Sequence, residues 1–300
     1  FIDVGREPPE QVRRWLRPSA DLILLRAGPD GDGFEYGRSI GAYGETAMLE
    51  VLTAAAVLGI LTPEEMDVAY ALSAAITARP MDFWVDPETG SVNLWDHGRR
   101  TDAYRGKHRI LGENFSLGRQ HSYTNALWNR LGYRDRTPTA DLAAWRASRP
   151  RATLTWFDRG EHDRALLTIL DGQRLIGLPV VNGGPGQHMN NPYFPIPYSP
   201  GLVAGSPDAT FPQLITRLEL ADGSILQPLA FHRDIRMTET PERVQLDYRQ
   251  DAMDRMGENA PVADTRVSAE TRYRFAPGRI ERSDVYSAAS DPGPVALQME

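Results

Sequence analysis

The chain contains no cysteine. That excludes disulfides, thiolate nucleophiles and cysteine-based zinc sites. It has no basic excess either: 33 Lys and Arg stand against 40 Asp and Glu, a net charge of -7. A nucleic-acid partner is therefore not expected. No apolar run reaches the roughly 18 residues of a spanning helix. The longest apolar-leaning stretch, residues 47–61, is interrupted by Glu50 and Thr53. Internal repeats, low-complexity segments, a Gly-x-Ser-x-Gly elbow and a phosphate loop are also missing. Position 1 is Phe with no leader-like segment after it, which fits a numbering that starts inside a longer protein. What remains is 300 residues with 41% hydrophobic and 24% charged content, enough to bury a sizeable core in one large domain or two smaller ones.

Two halves differ in pattern. Residues 1–150 carry helix punctuation. Pro8 and Pro9 open a helix through Leu16, and 45–60 is Ala/Leu/Val-rich with apolar residues near helical spacing. Thr62, Pro63, Glu64 and Glu65 form a cap, a first-turn proline and acids that complement the helix dipole, for a helix ending near Ala78. Helices over 122–131 and 139–147 follow. About five helices joined by short turns predict antiparallel hairpins. From residue 151 the period changes to two, at 152–157, 213–220 and 243–248. Asp171-Gly172, Asp222-Gly223 and Pro277-Gly278 are hairpin turns, the last between strands at 265–275 and 279–286. The reading is α+β multidomain: a helical-hairpin domain over 1–150, then an antiparallel β-sandwich of nine or ten strands over 151–300.

Three polar constellations lie in the first half. Glu113–Asn125 gathers Asn114, Arg119, Gln120, His121, Tyr123 and Asn125, with His121 and Tyr123 near an expected helix start. An imidazole takes a proton near neutral pH, a phenol can give one, and amide or guanidinium groups hold a carboxylate. The plain alternative is a polar loop capping the next helix. Glu35–Glu45 places Tyr36, Arg38 and Tyr43 among three glycines, facing a cleft or packed under a helix. Asp96–Arg109 is the one basic cluster, including Arg100; it suits a polyanion or is a solvated loop. In the second half, the Pro-rich loop from Asn182 to Gly201 carries His188 and Tyr193, and is expected to pack on the helical half as one wall of a cleft. His188, Asp208 and His232 lack tight ligand spacing, so no metal or other cofactor is expected beyond a weak prospect of a structural metal in the β half. Asp251, Asp254, Glu258 and Asp264 read as a solvated acidic loop.

Tyr36–Gly44, Gly118–Asn125 and Gly183–His188, set in a helical half followed by a β half, resemble the polysaccharide lyases built from an (α/α) toroid and an antiparallel β-sandwich, of heparinase II/III-like or oligoalginate lyase-like type. The resemblance implies a partial toroid and β-elimination on a uronic-acid polysaccharide. That chemistry neutralises the C6 carboxylate, abstracts the C5 proton and protonates O4. It implies His121 as base, Tyr123 or Tyr43 as acid, and Asn114, Arg119 and Gln120 at the carboxylate. Arg38, Tyr36, Arg100, His188 and Tyr193 are then substrate-binding candidates. The implied partner is an acidic polysaccharide or oligosaccharide, in the periplasm or outside the cell. A glycoside hydrolase on a helical scaffold and a non-catalytic carbohydrate-binding module are the competing readings.

Overall fold

A computed structural model describes residues 2–28, 31, 42–79, 107–172, 174–181, 195–197, 199, 215–257, 262–289 and 295–299. The chain forms two compact units that divide between Arg149 and Pro150. It combines helices with antiparallel sheets, an α+β architecture.

Among the described residues the first unit has five α-helices: α1 (Glu10–Arg26), α2 (Ala42–Val57), α3 (Pro63–Arg79), α4 (Lys107–Trp128) and α5 (Leu142–Ala147). Helix α1 runs ten residues past its expected end and passes through Pro18. Burial of Ala20 and Leu24 in the core outweighs the one backbone bond that the proline removes. Antiparallel pairing of α1 and α2 is fixed by cations at a helix C-terminus. Arg13 Nη1 donates to the Leu58 carbonyl at 2.7 Å and Arg17 Nη1 to the Ile60 carbonyl at 3.0 Å. Helix α3 begins with a reciprocal cap: Glu65 N donates to Thr62 Oγ1 at 3.3 Å, and Thr62 N donates to Glu65 Oε2 at 2.9 Å. Leu24, Leu52, Ala55, Val68, Leu72 and Trp128 share the core. Small residues let the backbones close up: a Cβ on Gly31, at φ 81°, would lie 2.7 Å from Ile76 N.

Helix α4 overturns an expectation. A helix start was expected near Ser122; instead one 22-residue helix begins at Lys107. Gly112, Gly118 and the polar run lower its intrinsic propensity, but Leu117, Thr124, Leu127 and Trp128 form a buried stripe that carries the helix. It ends in a π-helical turn, Asn129–Tyr133, where Gly132 has φ 85°. There Tyr70, Trp128 and Tyr133 pack ring on ring, with centroids 4.5–5.2 Å apart. Helix α5 is shorter than expected and starts where Asp141 accepts from Ala143 N and Ala144 N.

The second unit contains twelve described strands: β1 (Ala152–Arg159), β2 (Asp163–Asp171), β3 (Arg174–Val180), β4 (Thr216–Glu219), β5 (Ile225–Gln227), β6 (His232–Glu239), β7 (Val244–Gln250), β8 (Met253–Arg255), β9 (Ala263–Asp264), β10 (Val267–Ala276), β11 (Arg279–Ala288) and β12 (Ala296–Met299). They form sheets of order β1-β2-β3, β11-β10-β7-β6 and β12-β4-β5-β8-β9. The three Gly-containing turns join β2 to β3, β4 to β5 and β10 to β11. Two of these tips are tied together, Gly278 N donating to Asp171 Oδ2 at 3.0 Å.

Alternation on β10 builds two cores from one face. Tyr273 and Phe275 pack with Leu167, Ile169, Leu178, Val180 and Leu246. Val267 and Ala269 pack with Leu218, Leu226 and Met253. Each fully buried leucine contributes about 2 kcal/mol. The expected solvated acidic loop is not observed for Asp254 and Asp264, both buried. Asp264 receives Arg266 and Arg255, 2.7 and 2.9 Å away, and so keeps its charge in the interior. Glu258 lies outside the described residues.

Candidate functional site

Helix α4 carries Asn114, Arg119, Gln120, His121 and Tyr123, and its periodicity sorts them. His121 lies on the packed side with Leu117, Thr124 and Trp128; Arg119 is exposed. Tyr123, two residues on, stands about 160° away around the helix. Arg119 and Tyr123, four apart, share one face. The site expected to combine His121 with Tyr123 is thus divided by the helix that bears both. Asn114 falls two turns before His121, at nearly the same angle on the axis.

His121 is half-buried, and burial holds its imidazole below the ordinary value, favouring the neutral ring. Its Nδ1 and the neighbouring Gln120 Oε1 have no hydrogen-bond partner among the described residues. Thr124 Oγ1 lies 3.0 Å from both the Gln120 and the His121 carbonyls, so its hydroxyl holds the turn that presents them. The packed face of α4 therefore carries an imidazole held toward its neutral form, with a buried nitrogen that has no partner among the described residues. Helix α2 packs against α4 and carries Tyr43 in its first turn. The side chains of Tyr43 and Asn114 lie outside the described atoms. Tyr36, Arg38, Arg100, His188 and Tyr193 lie outside the described residues, as does most of the Asn182–Gly201 loop.

The second unit holds a polar corner whose members His232 and Asp254 the sequence reading named only separately, and Gln250 not at all. His232, Gln250 and Asp254 are 0–1% exposed. His232 pairs with Gln250 across β6 and β7. Gln250 Nε2 donates to the Ala230 carbonyl at 2.6 Å, and Leu229 N donates to Asp254 Oδ2 at 3.2 Å. Both His232 nitrogens, Gln250 Oε1 and Asp254 Oδ1 lack partners among the described residues. Burial pushes His232 down to about 3 and Asp254 up to about 7. The available signal was parity: Val244, Leu246 and Tyr248 alternate inward on β7, and the same alternation puts Gln250 inside.

Beside that corner, Tyr248, Thr271, Tyr273, Arg282 and Asp284 line up on the same sheet face. Thr271 Oγ1 donates to Asp284 Oδ1 at 2.7 Å, Arg282 Nε lies 2.8 Å from Asp284 Oδ2, and Tyr273 Oη donates to the Pro195 carbonyl at 2.6 Å. Desolvation raises both tyrosines above the usual phenol value, so they stay protonated. No group of three or more His, Asp or Glu among the described residues is arranged to hold a metal ion. No helix of the described residues is long and apolar enough to cross a membrane. No family model, no curated protein and no solved structure matches this chain.

Proposed function

We propose that the protein is a polysaccharide lyase that cleaves a uronic-acid-containing glycan by β-elimination. In this reading the helical unit is a partial (α/α) toroid, the β unit is a sandwich, and the protein works in the periplasm or outside the cell. The observation that carries the reading is His121. It is an imidazole held toward its neutral form by burial, with a buried nitrogen that has no partner among the described residues, on the packed side of a long helix. A neutral imidazole is the form that accepts a proton from carbon.

The steps follow from the chemistry of a sugar acid. In this reading the amides of Asn114 and Gln120 hold the C6 carboxylate, so charge developing on C5 is delocalised onto hydrogen-bonded oxygens, while Arg119, on the face of Tyr123, takes no part. His121 takes the C5 proton. The C4–O4 bond breaks, a C4–C5 double bond forms, and a phenol protonates O4. Helix geometry separates Tyr123 from His121, which leaves Tyr43 as the acid of this reading.

Incubation with alginate, glucuronan, heparinoids and rhamnose-containing uronate polymers tests the proposal. A lyase gives an unsaturated product that absorbs in the far ultraviolet, and His121→Ala removes that signal. New reducing ends without the chromophore assign a hydrolase instead. Glycan binding that survives His121→Ala, with neither product, assigns a binding module.

A further inference from the structure

We infer that the buried corner where β6, β7 and β8 meet is a hydration site: a pair of ordered waters bonds His232, Gln250 and Asp254 and joins two of the sheets through them. The inference stands apart from the lyase reading and uses none of its residues.

The three side chains come from two sheets. His232 and Gln250 face each other across β6 and β7 in the four-stranded sheet, and Asp254 lies on β8 in the five-stranded one. One stretch of backbone collects them. Gln250 Nε2 donates to the Ala230 carbonyl at 2.6 Å. The amides of Leu229 and Ala230 both bond the Asp254 carboxyl, that of Leu229 at 3.2 Å. His232 follows two residues after Ala230, with its ring edge-on to Tyr248 at 5.1 Å.

Every bond made here leaves a second polar atom over. With Nε2 on Ala230, Gln250 still presents Oε1. With Oδ2 on Leu229, Asp254 still presents Oδ1. His232 presents both ring nitrogens. All four atoms are buried and bond nothing among the described residues, and the three residues are 0–1% exposed. Buried polar atoms are seldom left so, because each gives up its hydration with no return. The backbone that holds them is itself costly. Phe231 at φ 64° and Asp234 at φ 55° flank His232 in left-handed conformations, and the β6–β7 register breaks between Arg233 and Arg236.

The atoms decide what fits. Burial keeps the imidazole neutral, so it brings one N–H donor and one lone pair. Gln250 Oε1 only accepts. Asp254, its carboxyl pushed up by burial, gives or takes a bond at Oδ1. Donors and acceptors are mixed, and the set assembles no charge for an ion of either sign. A cation needs more anionic oxygen, and no group of three or more His, Asp or Glu among the described residues is arranged to hold one. Water gives two bonds and takes two, and it is small enough for a corner closed to solvent. The two nitrogens of an imidazole face away from each other, so one molecule reaches only one of them. Two waters complete the set.

A crystal structure of the full chain, at a resolution that places waters, tests the site directly. Two peaks are expected, which together lie about 2.7–3.2 Å from Gln250 Oε1, Asp254 Oδ1 and the His232 nitrogens. In solution, oxygen-17 relaxation dispersion counts long-lived internal waters. His232→Phe, which removes both nitrogens, and Gln250→Met, which removes Oε1, are each expected to lower that count. A dry corner, or the four atoms bonded by protein groups, overturns the inference. So does a single peak about 2.0–2.2 Å from the same atoms, which marks a metal ion. A count unchanged in Gln250→Met overturns it as well, and the wild-type structure decides the question even where a variant fails to fold.

Discussion

Arg79, in the last turn of α3, donates its Nε to Oε1 of Glu45, in the first turn of α2, at 2.8 Å, with both side chains at most 14% exposed. The pair joins the end of one helix to the start of its antiparallel neighbour, each charge at the pole that favours it. Burial makes the pair conditional. Losing one partner takes away the opposite charge that offsets the other's desolvation, so removing one costs more than removing both. Glu45→Ala or Arg79→Ala should destabilise the chain by about 3–5 kcal/mol. Replacing both with apolar residues of similar volume should cost clearly less. Denaturant unfolding of the three variants measures the difference, and equal losses in all three would count against a coupled pair.

The imidazole of His121 should titrate below the ordinary value of about 6.5, because burial penalises its charged form. Its folded value is lowered, so its contribution to stability is complete above the ordinary value and lost as pH falls below it. For the proposed elimination, the acid limb of the kcat/KM profile should likewise fall below the ordinary value. Histidine NMR titration and a pH–rate profile measure both, and a normal or raised value would remove the neutral base.

Asp254 should weaken the fold as pH rises. Its carboxyl is raised from 3.8 to about 7, so the folded state binds more protons than the unfolded state between those values. Stability is complete below the lower value and declines through the upper one, by up to about 1.4 kcal/mol per pH unit. Asp254→Asn keeps an oxygen for Leu229 N and removes the titration. The variant should melt higher than wild type around pH 8 and at the same temperature around pH 4. Thermal unfolding at the two pH values checks the sign.

Thr62→Ala should cost about 1 kcal/mol. It deletes the oxygen that receives Glu65 N, while Glu65 stays bound to Arg17 at 2.7 Å. Glu65→Ala leaves the bond from the residue 65 amide to Thr62 Oγ1 in place, but removes the Oε2 half of the cap and the Arg17 pair together, and should cost more. A loss no larger than that of Thr62→Ala would show that the Arg17 pair adds nothing to stability.

Local signals were readable where a few neighbouring residues suffice. Thr62, Pro63 and Glu65 marked a helix start that forms as expected, and Asp171-Gly172, Asp222-Gly223 and Pro277-Gly278 marked three hairpin turns. The misreadings share one cause. Helices α1 and α4 run past the expected bounds, through Pro18, Gly112 and Gly118, because intrinsic propensity is a weak local preference. A buried stripe such as Leu24 or Leu117–Trp128 gains more than the breaker costs. In the same way Asp254 and Asp264 read as solvated, because sequence displays a carboxylate without showing whether a strand carries it inward or an arginine meets it there.

The sequence by itself determined the change from a helical to a β pattern and the exclusion of cysteine chemistry. These depend on composition and on periods of 3.6 or 2, which any short window displays. Only the tertiary structure decided that His121 and Tyr123 point away from each other, and that His232, Gln250 and Asp254 meet in one buried corner. Side-chain direction is set by the phase of an element against its core, and desolvation by what packs on top; neither exists until the chain has folded.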